Sequence, residues 1–318
     1  MFRSPSTWGW LSSYTNRKKM ILAMRIFGIP FFFGLLVFAS SDKAFRPPPP
    51  YPPQQVPLRF LIAENNNPEA AHRRYHDTLK WRKTERIDDI LREPFEDFFT
   101  IKQHYPHFFH RFGFNGEPVY YELVAKIDLK TLIKKGVGYE KLLRHYTMIT
   151  EFQWQVLSRD DFMTSIFVVD LEGAKLGDFV GKSVDFIKKA SALSAMHYPE
   201  RAGKIFLVNV PRWFHIIWKV VKPLVPENTL HKIFILRGKD EILFQLKQYI
   251  PLQNIPREYG GTGTNLGDSP EEKELAQLME HNLQLAKQKR DTCPGCSPHL
   301  DVNEWPCRFC SWQLARSY

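Results

Sequence analysis

Apolar positions recur along this chain in two different periods, and the change from one to the other marks its organisation. From Asn67 to Pro94 the pattern is helical. Ala71, Tyr75 and Leu79 recur every four residues and form one apolar face, Asn67 is a good N-cap, and Pro68 and Glu69 suit the first turn. Beyond this lead-in, "PVYYELVAKID", "SIFVVDLEG", "GKIFLVNVP" and "LHKIFILRG" are short runs rich in β-branched and aromatic residues. Helix-like stretches such as "YEKLLRHYTMITEFQWQVLSR" and "GKSVDFIKKASALSAMHY" separate them. Near-continuous apolar strands joined by helical crossovers predict an α/β fold, a sheet covered by helices. A last polar helix, "SPEEKELAQLMEHNLQLAKQKR", has Leu275, Leu278 and Leu283 on part of its surface and is expected to lead out of the domain. "GGTGTNLG", Gly260 to Gly267, follows the last strand and opens no strand–helix–strand unit, so it reads as a flexible exit loop.

Ahead of the lead-in the pattern changes again. Ile26 to Ala39 carries no charge and follows Arg17, Lys18, Lys19 and Arg25. It reads either as a cleavable secretory signal ending in Ala39, Ser40 and Ser41 or, counted from Ile21, as a membrane anchor. "DKAF" also looks like the cleavage site of some algal plastid presequences. "RPPPPYPPQQVP", Arg46 to Pro57, is largely polyproline II, a stiff spacer of about 3.1 Å per residue that also suits an aromatic groove on a protein partner. The chain thus divides into a basic N-terminus with an apolar segment (1–45), a proline-rich linker (46–57), a helical subdomain (58–100), a main domain (101–262), a loop and polar helix (263–292) and a cysteine-rich tail (293–318). Hydrophobic residues at 43% exclude wholesale disorder. The formal charge is +10, but six of those charges lie at or before Arg46, so the body is only mildly basic and no nucleic-acid partner is expected.

All four cysteines, Cys293, Cys296, Cys307 and Cys310, fall in the pattern C-x2-C-x10-C-x2-C. Each two-residue spacer folds into a knuckle that aims two thiolates at one point, which makes the tail a candidate zinc site; two local disulfides or reduced thiols are the alternative. A reducing compartment favours zinc and a secretory lumen favours disulfides. Trp305, Phe309 and Trp312 imply that the tail packs on, or binds, another surface. Enzyme signatures such as G-x-S-x-G, G-x-x-x-x-G-K-[ST] and H-E-x-x-H are missing from the sequence. His104, His107 and His110 read as loop histidines among aromatics, with no carboxylate spaced to orient them. The expectation is a binding protein rather than an enzyme, with no catalytic cofactor.

"RFLIA", "EAAHRRYHDTLKWRKTERIDDIL", "YPHFFHRFGFNGEPVYYE", "VVDLEG", "YPERAGKIFLVNVPRWFHIIWKVVKPLV", "KIFIL" and "IPREYGG" occur in this order from Leu58 to Gly261. Together they resemble the CRAL-TRIO lipid-binding family. The resemblance implies an N-terminal helical subdomain followed by a mixed sheet covered by helices, around an apolar lipid cavity with a gate helix. The gate falls on "PRWFHIIWKVVKPLV", where Trp213, Phe214, Ile217, Trp218 and Val221 leave almost no polar face. Thr229 and Lys232 match the threonine and lysine that hold an inositol-phosphate headgroup, and Glu200 matches the acid beside that lysine. An ammonium gives a phosphodiester a point charge and a hydroxyl gives it a directional hydrogen bond.

Two features depart from the family pattern. Where lipid-exchanging members often carry an Arg-Lys pair for the phosphate, this chain has Glu64 and Asn65. Of a second headgroup set, Tyr120 and Ser165 are present, whereas Phe109 and Phe167 stand where a tyrosine and a hydroxyl are the pattern, removing hydrogen bonds a polar headgroup needs. The implied ligand is a phospholipid or an isoprenoid-type lipid, taken up at a membrane surface and transferred or presented there. The alternative is a membrane-anchored lipid-sensing adaptor that recruits a protein through the proline segment or the cysteine tail. The implied location is a membrane, through the N-terminal apolar segment, or the cytoplasm with peripheral membrane contact, with secretory or plastid targeting left open.

Overall fold

The two periods fold into two kinds of element. In this computed structural model, residues 56–175, 182–222 and 230–292 are described. The helical lead-in comprises α1 (Leu58–Ala63), α2 (Pro68–Thr84), a 3-10 turn (Ile87–Arg92) and α3 (Phe98–His104). Strands and helices then alternate: β1 (His107–Phe112), β2 (Pro118–Leu123), α4 (Leu129–Lys134), α5 (Tyr139–Phe152), β3 (Ser165–Asp170), α6 (Lys182–His197), β4 (Ala202–Val208), α7 (Phe214–Val221), β5 (Ile233–Ile235), α8 (Lys239–Leu246) and α9 (Pro270–Thr292). The expected cap of α2 is present, with Asn67 Oδ1 accepting the Ala70 amide at 3.1 Å.

The sheet order follows the chain, β1-β2-β3-β4-β5. β1 runs antiparallel to β2, and the other pairs are parallel, so the sheet is mixed as expected. Because side chains alternate along a strand, each strand divides its residues between two layers. Val119 and Tyr121, Ile166 and Val168, and Phe206 and Val208 enter a back core with Ile242 and Leu246 of α8. Tyr120, Phe167, Val169, Ile205 and Leu207 lie on the opposite, front face. Both faces are covered, which is why the strands read as near-continuous apolar runs.

The lead-in is fastened to the domain by charge. Arg82 of α2 donates two bonds, of 2.7 and 3.1 Å, to the buried carboxylate of Glu151 on α5, which also accepts from Tyr198 and Gln155. Trp81 stacks on His197 at 3.9 Å, joining α2 to the end of α6.

Two expectations for the C-terminal part are corrected. α9 does not lead out of the domain: Leu275 and Met279 are fully buried against Phe98, Phe109 and Phe152. Its first turn also covers the edge of the sheet, where Glu272 accepts the Phe109 amide at 3.0 Å, Glu271 accepts the Arg111 amide at 3.1 Å, and the Ser269 hydroxyl donates to the Phe109 carbonyl at 2.6 Å. The glycine-rich segment is no free loop either. A Cβ on Gly261 would lie 2.0 Å from the Ile255 carbonyl oxygen, so glycine is there for close backbone approach. Among the described residues, no helix is long and apolar enough to cross a membrane.

Candidate functional site

Over the front face, α2, α5 and α6 leave a cavity of about 1250 Å³, its open mouth included. Tyr120, Phe167, Val169 and Ile205 form its sheet-side floor, and Tyr146, Ile149 and Ser194 contribute from the helices. Glu122 at one end is only 1% exposed, whereas the side chains of Glu200 and Lys232 are 29% and 28% exposed and mark the open end.

At the open end Lys232 Nζ lies 3.3 Å from Glu200 Oε2, the neighbour pair expected from the sequence. The Lys232 carbonyl accepts the Ile205 amide at 2.8 Å, which fixes the lysine backbone to β4. Glu200 occupies the left-handed region, φ 55°, a conformation that costs a non-glycine residue about 1 kcal/mol. Its neighbour Arg201 stacks 4.2 Å above the Trp154 ring and donates to the carbonyls of Met163 and Asp161 at 3.1 and 3.2 Å. Burial lowers the Arg201 pKa to about 10, so the guanidinium stays charged at neutral pH. From α2, Arg74 reaches the same cavity, bonded to Glu64 at 2.9 Å, to the Met196 carbonyl at 3.0 Å and to the Ala195 carbonyl.

The inner end carries a buried carboxyl. Glu122 Oε1 accepts the Tyr105 hydroxyl at 2.7 Å, and its Oε2 is buried with no hydrogen-bond partner. Desolvation pushes its pKa up to about 7, against the smaller opposing effect of Tyr105. Behind it, His107 Nδ1–H donates to the Tyr105 carbonyl at 2.7 Å, which leaves Nε2 to accept from His145 Nε2–H across 3.1 Å. Burial, with Lys102 nearby, drives His107 well below the usual imidazole range and His145 down to about 3, so both rings are neutral. Lys102 is itself held by Glu272 and the His107 carbonyl. His107 and His110 therefore lie on β1 rather than in a loop.

The helix expected to act as the gate is α7. Phe214 is buried with Val169, Leu171, Ile205 and Leu207, and Trp213 and Trp218 pack partly buried against that group. Val169 and Ile205 also floor the cavity, so α7 continues its wall along the sheet. Ile216 is 49% exposed on the outer side. The side chains of Ile217 and Val221 lie outside the described residues, as does Thr229.

The structure thus brings Tyr120, Phe167, Glu200 and Lys232 to one cavity. Ser165 and Phe109 stand in the wall instead. The Ser165 hydroxyl donates to the Pro118 carbonyl at 2.7 Å and accepts from Gln153, and Phe109 packs on Phe152 and Tyr120. The sequence reading passed over Glu122 and Arg74. Both had signals: Glu122 is an isolated charge in an apolar strand, two residues from Tyr120 and on its face, and Arg74 falls three residues after the apolar Ala71 of α2. Among the described residues, no group of three or more histidines, cysteines or carboxylates could hold a metal ion. Cys293, Cys296, Cys307 and Cys310 lie outside them.

Residues 102–261 match the family model of the CRAL/TRIO domain. The SEC14 cytosolic factor of Kluyveromyces lactis is 32% identical over 216 residues, covering 64% of this chain and 69% of that protein. The Sec14 cytosolic factor of Schizosaccharomyces pombe is 30% identical, covering 64% and 73%. An Arabidopsis thaliana protein named phosphatidylinositol/phosphatidylcholine transfer protein SFH9 is 26% identical, covering 67% of this chain and 38% of its own length. The crystal structure of Sfh5 superposes with a TM-score of 0.52 at 16% identity, covering 84% of this chain and 92% of that one, a likeness of fold.

Proposed function

The chain belongs to the CRAL/TRIO domain family, and on that premise we propose that it binds a phospholipid or similar amphiphile in the cavity over its sheet and transfers or presents it at membranes. The observation that carries this reading is a cavity with an apolar floor whose open end holds a lysine paired with a carboxylate, Lys232 and Glu200. The Arabidopsis relative, named for transfer of phosphatidylinositol and phosphatidylcholine, supports the ligand class. The reaction is binding and release rather than bond making.

Acyl chains lie against Phe167, Val169 and Ile205, where burial of apolar surface contributes about 25 cal/mol per Å². The headgroup phosphate replaces Glu200 as the partner of Lys232, and Thr229, three residues before that lysine in the sequence, is the proposed hydroxyl donor. α7, apolar on its inner side and exposing Ile216 on the outer, moves from the sheet toward a bilayer to admit the lipid. The four cysteines of the tail, in their C-x2-C-x10-C-x2-C spacing, would hold a zinc ion in a knuckle.

The test is to purify the full chain, identify co-purified lipid by mass spectrometry, and measure loading from vesicles. Lys232→Ala should lower phosphatidylinositol loading about tenfold and leave diacylglycerol, which has no phosphate, unchanged. A chain that takes up no amphiphile would sink the proposal, and equal loss of both lipids would remove the headgroup role of Lys232.

A further inference from the structure

Glu64, in the turn after α1, follows the cavity-lining Ala63, and a carboxylate is the wrong charge for a phosphate. Its side chain does not stand alone there. Glu64 Oε1 accepts from Arg74 NH1 at 2.9 Å, and Arg74 is the group that lines the cavity. The Arg74 side chain is 13% exposed, and its guanidinium donates through Nε to the Met196 carbonyl at 3.0 Å and through NH2 to the Ala195 carbonyl. These carbonyls close the C-terminal turn of α6, a few residues before Glu200. Three contacts use three of the five N–H groups of an arginine, and exchange of Glu64 for another anion would present one more. Arg201 is a poorer candidate, since Trp154, Met163 and Asp161 hold it in place.

Resting on the headgroup reading above, we propose that Arg74 is a second phosphate-binding cation of this cavity, held ready by Glu64 as Lys232 is held by Glu200. Two cations that line the cavity are then each held by a carboxylate, Arg74 by Glu64 at 2.9 Å and Lys232 by Glu200 at 3.3 Å. A lipid phosphodiester displaces both carboxylates at once, and the planar guanidinium receives two of its oxygens together. The bonds to α6 keep Arg74 in position during the exchange, so little side-chain freedom is lost on binding.

The experiment measures loading of phosphatidylinositol and of diacylglycerol from phosphatidylcholine vesicles onto the full chain. Arg74→Gln is expected to lower phosphatidylinositol loading about tenfold while diacylglycerol loading holds within about twofold. Parallel loss of both lipids, or no change in either, would overturn the proposal, the former marking Arg74 as a cap of α6 only. Glu64→Gln leaves the α6 bonds in place and is expected to raise phosphatidylinositol loading; a fall with Arg74 still ordered would also overturn it. Water-soluble glycerophosphoinositol should compete weakly, and equal competition would exclude the lipid as the source of the phosphate. If Lys232→Ala lowers phosphatidylinositol loading and Arg74→Gln does not, this inference alone fails. If neither does, the headgroup reading fails with it.

Discussion

Glu122 places a carboxyl in the buried wall of the cavity. Its pKa rises from 4.5 to about 7 through burial, so the unfolded chain gives up this proton well before the folded one. Stability from this group is whole below about pH 4.5 and declines as the pH climbs to about 7, where the loss reaches about 3 kcal/mol. Glu122→Gln keeps an acceptor for the Tyr105 hydroxyl and should stabilise the protein above pH 7 while leaving it unchanged near pH 4. Denaturant titrations of both forms across this range check it, and parallel curves would contradict it. The neutral His107 and His145 act in the opposite direction, since the unfolded chain takes up protons below about pH 6.5 that these rings refuse; the difference between the two forms cancels their contribution. At this scale the sequence spoke unevenly. Lys232 and Glu200 were legible because two motifs placed them, while Glu122 and Arg74 each required knowing which neighbouring element their face would meet.

Elements were more legible than their connections. All four apolar runs became strands and both long helical stretches became helices, because periodicity reports which face is buried without reference to a partner. Periodicity says nothing of what a polar residue on the same element grips. Arg82 and Glu151, in α2 and α5, lie far apart in the chain, yet they form the bidentate pair that holds the lead-in against the cavity wall. Glu151 is 2% exposed and would be left a buried charge short of its main partner by Arg82→Ala, at a cost of about 3 kcal/mol. Thermal unfolding should show a matching drop, and Arg82→Ala combined with Glu151→Gln should recover part of it. An unchanged midpoint in the single variant would mean that α2 is held by Trp81 and its apolar contacts instead.

For the molecule as a whole, the domain cannot be ended where its sequence seems to stop. The boundary at 262 follows the last strand and the last family motif, but the chain beyond it supplies Leu275 and Met279 to the core. What hid this from the sequence is composition: α9 is mostly polar, and Glu271 and Glu272 look like ordinary first-turn residues of an exposed helix. In the fold they accept the outward amides of β1, groups that an uncovered edge strand offers to any passing chain. A fragment ending at 262 should therefore be recovered largely as soluble oligomers or precipitate, and light scattering against the full chain would show it; a monodisperse monomer would contradict it. Glu271 and Glu272 thus close the free edge of β1 to a second chain, and this protection comes from a helix that lies beyond the residues the family model matches.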